Sequence, residues 1–460
     1  MKDQKATIGH NQRRFSRRDF MKGSVAAAAA LTIVPSYVLG QGAPSNKLNI
    51  AAIGSGGQGG SNLKACRAEN IVALCDVDWD WAGATFKKFP DAKRFKDYRE
   101  MLDKMSDKID AVIVATPDHT HAVAAMAAMK KHKHVYVQKP LTRTVYEARM
   151  LTKAAHKYGV KTQMGNQGHS GEGIRLVCEW IWDGAIGDVY EAHCWTNRPV
   201  WPQGIGRPEG TPPIPKTLDW DLWLGTAPYR PYNPAYLPFN WRAWLDFGAG
   251  ALGDMGCHVM DAAFMSLRLK YPESVQASHS YDVQKMWTRV DNKETYPRSS
   301  VVHYQFPARA GMPPVKLHWY DGGILPEIPN DLETGRKIPG SGTILVGEKG
   351  KIMCSTYGGS PRLIPETKMK AYHKPPKKLV RIPNGIGGHA QDWITACKGK
   401  GQACSNFDYA GPFAETVVMG NLAMLNPNKK LLWDGENMKI TNDERANTFV
   451  KPNYREGWSL

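Results

Sequence analysis

Lys47-Leu-Asn-Ile-Ala-Ala-Ile53 is a short apolar run that leads directly into Gly54-Ser55-Gly56-Gly57-Gln58-Gly59. Glycines spaced in this way, after a strand and before a helix-compatible stretch, are what a strand–turn–helix dinucleotide site requires. A side chain at these positions would hold the backbone away from a pyrophosphate. The helix that follows offers its free N–H groups and positive dipole end to that charge. That helix is expected over 60–68, and Ile71-Val-Ala-Leu-Cys75 reads as a second strand ending at Asp76. A carboxylate about 20 residues beyond the first glycine accepts from the adenosine ribose hydroxyls. It repels a 2′-phosphate, and Val77-Asp78-Trp79 brings no arginine, so NAD is expected over NADP. Gly54, Ser55, Gly56, Gly57, Gln58, Gly59 and Asp76 are the candidate cofactor contacts of this stretch.

The alternation of strand and helix continues. Ile109-Asp-Ala-Val-Ile-Val-Ala115 is a strand, Thr116-Pro117-Asp118-His119-Thr120-His121 a turn, and 122–131 a helix. His134-Val-Tyr-Val137 is the next strand; it leads through Gln138-Lys139-Pro140 to a helix over 144–158 and a strand over 160–164. Parallel strands with helical crossovers make an α/β Rossmann domain, whose ligands sit at the carboxyl ends of the strands. Thr116, Pro117, His121, Lys139 and Asn166 fall at such ends and complete the candidate cofactor set. The expected organisation is a signal and linker over 1–42 and a Rossmann domain over 47–170. An α+β domain for substrate binding and oligomerisation follows over 171–460, its last helices packing back on the Rossmann domain.

Ala115-Thr-Pro-Asp-His-Thr-His121 and Lys133-His-Val-Tyr-Val-Gln-Lys-Pro140 resemble the signatures of the Gfo/Idh/MocA oxidoreductases, which include glucose–fructose oxidoreductase and inositol dehydrogenase. A second signature, Gly248-Ala-Gly-Ala-Leu-Gly-Asp254-Met-Gly-Cys-His258, resembles the family's glycine cluster followed by Asp-x-Gly-x-His. Gly388-His-Ala-Gln-Asp-Trp393 and Leu432-Trp-Asp434 are similar to the bacterial branch, so the resemblance runs from Lys47 to near the end of the chain. It implies a lysine, here Lys139, beside the nicotinamide and the reacting hydroxyl. It also implies a C-terminal domain built on a large open, mostly antiparallel sheet. Gln138 departs from the family's Glu-Lys-Pro and changes the charge next to Lys139.

Taking a hydride from a carbinol leaves a hydroxyl proton that needs an acceptor. Histidine suits that task near neutral pH, so His258 is the candidate general base. Lys139 is the candidate orienting acid or proton shuttle. Asp254, four residues before His258 and on the same face of a helix, positions the substrate and tunes the pair. The two bases can exchange roles on sequence grounds. His119, His121, His132 and His134 do not form the expected spacing of a metal centre, and no metal is expected.

Beyond Gly171 the pattern changes. A helix over 174–182 and a strand over 188–195 precede a Pro- and Trp-rich stretch over 197–244, and later strands are expected near 274–281, 299–306, 315–320, 343–347 and 351–353. Tryptophan faces stack on the C–H faces of pyranoses, with Arg or Asn supplying hydrogen bonds. Gln167, His169, Arg198, Trp201, Trp241 and Arg242 are therefore the candidate substrate contacts, for a carbohydrate or cyclitol. Sheets of the kind the resemblance implies pair face to face, so a homodimer or homotetramer is expected.

The net charge of +17 comes without a basic block beside an aromatic platform, so no nucleic-acid partner is expected. Hydrophobic content of 42% with 22% charged residues excludes a disordered chain, a collagen-like repeat and a polytopic membrane protein. Cys397 and Cys404 are close enough in sequence to pair in an oxidising compartment, which sequence alone does not decide. Ser16-Arg17-Arg18-Asp19-Phe20-Met21-Lys22, followed by an Ala-rich apolar stretch, resembles the twin-arginine export signal. The stretch is too short for a bilayer span of about 20 residues, so cleavage without stable membrane insertion is expected. The resemblance implies the twin-arginine machinery as partner and the periplasm as destination. A periplasm offers no soluble NAD pool, so the cofactor should be held tightly and recycled in place. Two activities meet this condition. One is a dehydrogenase that pairs oxidation of one sugar with reduction of another. The other is a glycosidase working by transient C3 oxidation and elimination. A sugar-binding module without turnover is the reading from another class.

Overall fold

The computed structural model describes residues 46–290 and 292–460. The twin-arginine segment lies outside the described residues, and Leu48–Leu460 form a single unit. Among the described residues no helix is long and apolar enough to cross a membrane.

Short Val-, Ile- and Ala-rich runs form β1 (Asn49–Ile53), β2 (Asn70–Cys75), β3 (Lys93–Phe95), β4 (Ala111–Val114), β5 (His134–Val137) and β6 (Thr162–Met164). They pair in parallel in the order β3-β2-β1-β4-β5-β6, the strand order of a doubly wound nucleotide fold. The helices between them are α1 (Gln58–Ala65), α2 (Trp79–Lys88), α3 (Tyr98–Met105), α4 (Asp118–Lys130) and α5 (Val145–Tyr158). Helix α5 shows why such boundaries hold. Thr144 and Glu147 form a capping box at its start, and Gly159 takes the left-handed conformation at its end.

Two helix starts near the site differ from the sequence reading. Helix α1 begins at Gln58, inside the glycine turn. Helix α4 begins at Asp118, so His119 and His121 stand in its first turn rather than in a loop before it. Pro117 lacks an N–H and precedes the helix at no cost in lost hydrogen bonds, and Asp118 suits the positive end of the dipole.

The second half is built on nine strands: β7 (Val189–Trp195), β8 (Ser274–His279), β11 (Ser300–Phe306), β12 (Val315–Tyr320), β13 (Gly342–Gly347), β14 (Gly350–Ser355), β15 (Gly359–Ile364), β16 (Lys430–Asp434) and β17 (Lys439–Ile440). A separate hairpin pairs β9 (Val283–Lys285) with β10 (Thr288–Arg289). The sheet order is β15-β14-β13-β7-β12-β11-β8-β16-β17, antiparallel throughout except for the β7–β12 pair. Strand β11 alternates buried Ser300, Val302, Tyr304 and Phe306 with half-buried residues, the signature of a sheet covered on one face. Helices of this half include α6 (Glu172–Trp182), α7 (Gly250–Val259), α8 (Asp261–Ser266), α9 (His389–Cys397) and α10 (Phe407–Met424).

Two of these helices tie the halves together. Helix α10 lies against β8 and β11 on one side and against α5 on the other. Trp393 and Ile394 of α9 are buried with Ile50 and Ala52 of β1 in a common core. The Pro- and Trp-rich stretch is irregular apart from short helices at Trp220–Leu224 and Asn240–Ala243, and Trp220, Trp223, Tyr236, Trp244 and Phe247 fill a small core of its own. All eight cysteines are free, Cys397 and Cys404 among them; the Cys404 thiol instead lies 3.3 Å from the Ser170 hydroxyl.

Candidate active site

The turn between β1 and α1 is closed by contacts that only glycine permits. Gly54 has φ +80°, and a Cβ there would lie 2.6 Å from the carbonyl oxygen of Ala115. A Cβ on Gly59 would lie 1.8 Å from the carbonyl oxygen of Gly54. The indole of Trp81 rests on the turn at Gly56, 2.1 Å from where a Cβ would stand. Asp76, at the end of β2, fixes this geometry. Its Oδ2 accepts the N–H groups of Ser55 at 2.8 Å and Gly56 at 2.9 Å, and its Oδ1 accepts that of Asp78 at 3.0 Å. Burial pushes its carboxyl up to about 6 against the pull of these three donors. Glycines without room for side chains, the N-terminal end of α1 and an acid at the strand end fit a nicotinamide dinucleotide.

A cavity of about 750 Å³ runs from this turn, past the ends of β4 and β5, to α7. Lys139, two residues beyond β5, reaches across it. Its Nζ donates to Asp254 Oδ1 at 2.7 Å and to the Asp254 carbonyl at 2.9 Å. Arg242 Nε donates to the same Oδ1 at 3.0 Å. Burial alone would raise the Asp254 carboxyl, but the charges of Lys139 and Arg242 hold it well below the usual range. One turn along α7, His258 lines the cavity with its ring edge-on to Tyr357. Its buried Nδ1 has no hydrogen-bond partner among the described residues. Burial, reinforced by the charge of Lys139, pulls its ring down to about 3, so the imidazole is neutral at ordinary pH.

Asp118 is a member of this cavity that the sequence reading passed over. Its Oδ2 accepts the N–H of Ala249 at 3.0 Å, tying the start of α4 to the start of α7. Its buried Oδ1 has no partner among the described residues. Burial pushes this carboxyl up to about 7, with Arg242 and Lys139 opposing and Asp254 reinforcing. The signal available in sequence was an acid directly after Pro117 at a strand end. Trp81, Tyr98, Phe239, Tyr357 and Trp458 also line the cavity and carried no local motif.

The other expected residues divide. Thr116, Pro117, His121, Gln167, Arg198, Trp201, Trp241 and Arg242 line the cavity. His121 is wholly buried, with Nδ1 2.8 Å from the Pro140 carbonyl and Nε2 2.8 Å from that of Thr116; a neutral ring can donate to only one of them. Asn166 and His169 lie behind the wall. Both turn to the buried carboxylate of Asp261, which also accepts from the Tyr409 hydroxyl. Asp261 stands at the start of α8, and Asn166 Oδ1 also accepts from the Ser405 hydroxyl at 2.7 Å. Gln138 donates to Asn62 Oδ1 at 3.0 Å, a bond that a glutamate at this position could not make.

Comparison with known proteins agrees with this architecture. Residues 48–166 match a model described as an oxidoreductase family, NAD-binding Rossmann fold, and residues 200–295 one described as the C-terminal alpha/beta domain of an oxidoreductase family. Residues 14–33 match the twin-arginine translocation signal sequence. The chain is 29% identical over 148 residues to an inositol 2-dehydrogenase of Rubrobacter xylanophilus, covering 31% of this chain and 42% of that protein. It is 25% identical over 228 residues to a levoglucosan dehydrogenase of Pseudarthrobacter phenanthrenivorans, covering 47% of this chain and 50% of that one. The chain thus spans half or less of the length of these curated relatives. The WlbA dehydrogenase of Bordetella pertussis, solved with NADH and UDP-GlcNAcA, superposes with a TM-score of 0.57 over 84% of this chain and 99% of its own, at 15% identity. That likeness is one of fold. Residues 48–166 are an NAD-binding Rossmann fold.

Proposed function

The chain belongs to the Gfo/Idh/MocA oxidoreductase family, and on that premise we propose that it moves a hydride between a sugar, sugar-acid or cyclitol hydroxyl and a tightly held NAD. It does so in the periplasm, after export through the twin-arginine machinery. One observation carries this reading: the glycine turn and the Lys139–Asp254–His258 group line the same cavity.

When bound, the nicotinamide supplies the acceptor for a hydride and its two electrons. The residues do the rest. As the carbinol carbon gives up its hydride and becomes a carbonyl, the hydroxyl proton passes to His258, whose Nδ1 has no partner among the described residues. Burial makes the resting ring a weak base, so the transfer becomes favourable only as the hydride leaves and the hydroxyl turns acidic. Lys139 has three N–H donors. Two are committed to Asp254, and the third is free to hold the reacting oxygen. Asp254 keeps Lys139 in this orientation and offsets the imidazolium that forms one turn along the helix. Trp201 and Trp241 offer faces to the sugar ring, and Asp76 favours NAD over a 2′-phosphorylated cofactor.

The test uses purified mature protein without added cofactor, followed by nicotinamide absorbance and fluorescence while sugars and glycosides are added. Reduction of a retained nicotinamide by a sugar supports the reading, and the responding sugar names the class. Cleavage of a glycoside with no net change in the nicotinamide assigns the redox-neutral glycosidase route instead. A chain that carries no nicotinamide even after denaturation overturns the self-contained cycle.

A further inference from the structure

The cations and carboxylates at the reacting end of the cavity do not balance. Lys139, Arg198 and Arg242 line it together with Asp118 and Asp254. Lys139 and Arg242 share a single carboxylate oxygen. Arg198 has no carboxylate partner among the described residues; its Nη1 donates only to the neutral amide oxygen of Asn197, at 2.8 Å. Asp118 makes no ion pair within 4 Å among the described residues, and burial holds its carboxyl up to about 7, so near neutral pH it offsets only part of the excess. The glycine turn does not need these arginines, because the N-terminus of α1 already serves a pyrophosphate.

One of these cations is also held rigidly. The Arg242 guanidinium lies 4.2 Å from the ring centres of both Phe239 and Trp241 and 6.0 Å from that of Trp201. Trp201 in turn meets Phe239 edge-on at 5.7 Å and stands three residues from Arg198. A planar guanidinium stacked among aromatic rings loses little freedom on binding, and its fork matches a carboxylate better than it matches a hydroxyl.

Resting on the oxidoreductase reading above, we propose that the natural substrate is an anionic sugar, an aldonate or uronate, whose carboxylate is bound by Arg198 with Arg242 beside it. The aromatic faces take the ring, and the two arginines fix which end of it points toward Lys139.

Calorimetry reads this without relying on turnover. The mature protein with its retained cofactor is titrated with glucuronate, gluconate, glucose and glucose 6-phosphate. Glucuronate or gluconate should bind roughly tenfold to a hundredfold more tightly than glucose, the range of one charged hydrogen-bonded contact, and the advantage should shrink with added salt. Arg198→Gln should remove most of that advantage while changing glucose binding at most a few-fold. The Arg198 side chain contacts only Asn197 by hydrogen bond, so the variant should fold, and circular dichroism checks that it does. Equal affinity for glucose and glucuronate, a clear preference for glucose 6-phosphate, or an Arg198→Gln variant that weakens glucose and glucuronate alike overturns the proposal. Selective binding of the acids with no redox response of the nicotinamide leaves the anionic preference standing and counts against the oxidoreductase reading.

Discussion

Replacing Asp254 with asparagine removes the carboxylate that two cations share. Lys139 Nζ and Arg242 Nε lie 2.7 and 3.0 Å from the same Oδ1, and the three side chains are only 12–19% accessible. Removing one partner of a fully buried pair costs about 3–5 kcal/mol, because a charge is left uncompensated. Here the cavity admits water, the asparagine oxygen still accepts, and Lys139 keeps the Asp254 carbonyl. The loss should therefore be about 2 kcal/mol. Much of it reflects a stranded Lys139, so Lys139→Met in the Asp254→Asn background should cost less than Lys139→Met alone. The double-mutant cycle, read from urea unfolding near neutral pH, should give a coupling of about 1–2 kcal/mol. The pH dependence has a definite sign. The Asp254 carboxyl is held below its unfolded value, so its stabilisation is present above about pH 4 and is lost as pH falls through its folded value. The gap between wild type and Asp254→Asn should stay constant from neutral pH to about pH 5. Sugar oxidation should fall by a similar factor in both single variants and in the double, as expected of residues acting as a unit. Additive stabilities within about 0.5 kcal/mol would refute the shared-oxygen account.

Three further outcomes follow from the site. His258→Gln should lower the rate of sugar-dependent nicotinamide reduction by about 10²–10⁴-fold, with the cofactor content of the purified protein unchanged; loss of the cofactor as well would assign the ring a binding role. Asp118→Asn should stabilise the protein by roughly 2–4 kcal/mol above pH 7, because burial raises this acid to about 7 and its ionised form is costly when folded. That advantage should fade toward pH 5, where wild-type Asp118 is protonated in the folded state, and urea midpoints at the two pH values check the sign. Trp458→Ala opens the end of the cavity next to Asp76, where the ring lies 4.6 Å from the Arg99 guanidinium and 6.3 Å from Tyr98. Retained nicotinamide should weaken about tenfold; an unchanged cofactor-to-protein ratio after gel filtration counts against a closing role for this residue.

The parts of the site legible in the sequence are those whose chemistry is local. The glycine turn announces itself because its constraints act between neighbours in the chain, such as Gly59 against Gly54. Lys139, Asp254 and His258 were placed by the resemblance of their motifs to family signatures, with the strand end supporting the first and the four-residue spacing on one helix face supporting the other two. Asp118 was visible as a letter but not as a charge, since its environment is made by Ala249, Arg242 and Lys139 from three other segments. Asn166 and His169 show the converse. The strand end was read correctly, but their side chains answer to Asp261, which is distant in the sequence. The tryptophans of 197–244 divide for the same reason. Trp220 and Trp244 serve a core, whereas Trp201 and Trp241 also face the cavity, and composition alone cannot separate the two uses.

The cavity wall explains why the cofactor site and the whole fold should be inseparable. The glycine turn belongs to the first strand of the parallel sheet, yet the surface facing it includes Arg198, Trp223, Phe239, Tyr357 and Trp458. These come from the irregular stretch, the second half and the far end of the chain. Helix α9 is buried against β1 itself, and Asn421 of α10 donates to the Ala249 carbonyl at the start of α7. A dinucleotide bound here stabilises the folded chain over any partly folded one, and the gain grows with the ligand's affinity. On the proposed function, a chain matched over 14–33 by the twin-arginine signal therefore gains stability by filling this cavity. On the anionic-sugar proposal, the same enclosure leaves the choice of substrate to Arg198, which has no carboxylate partner among the described residues.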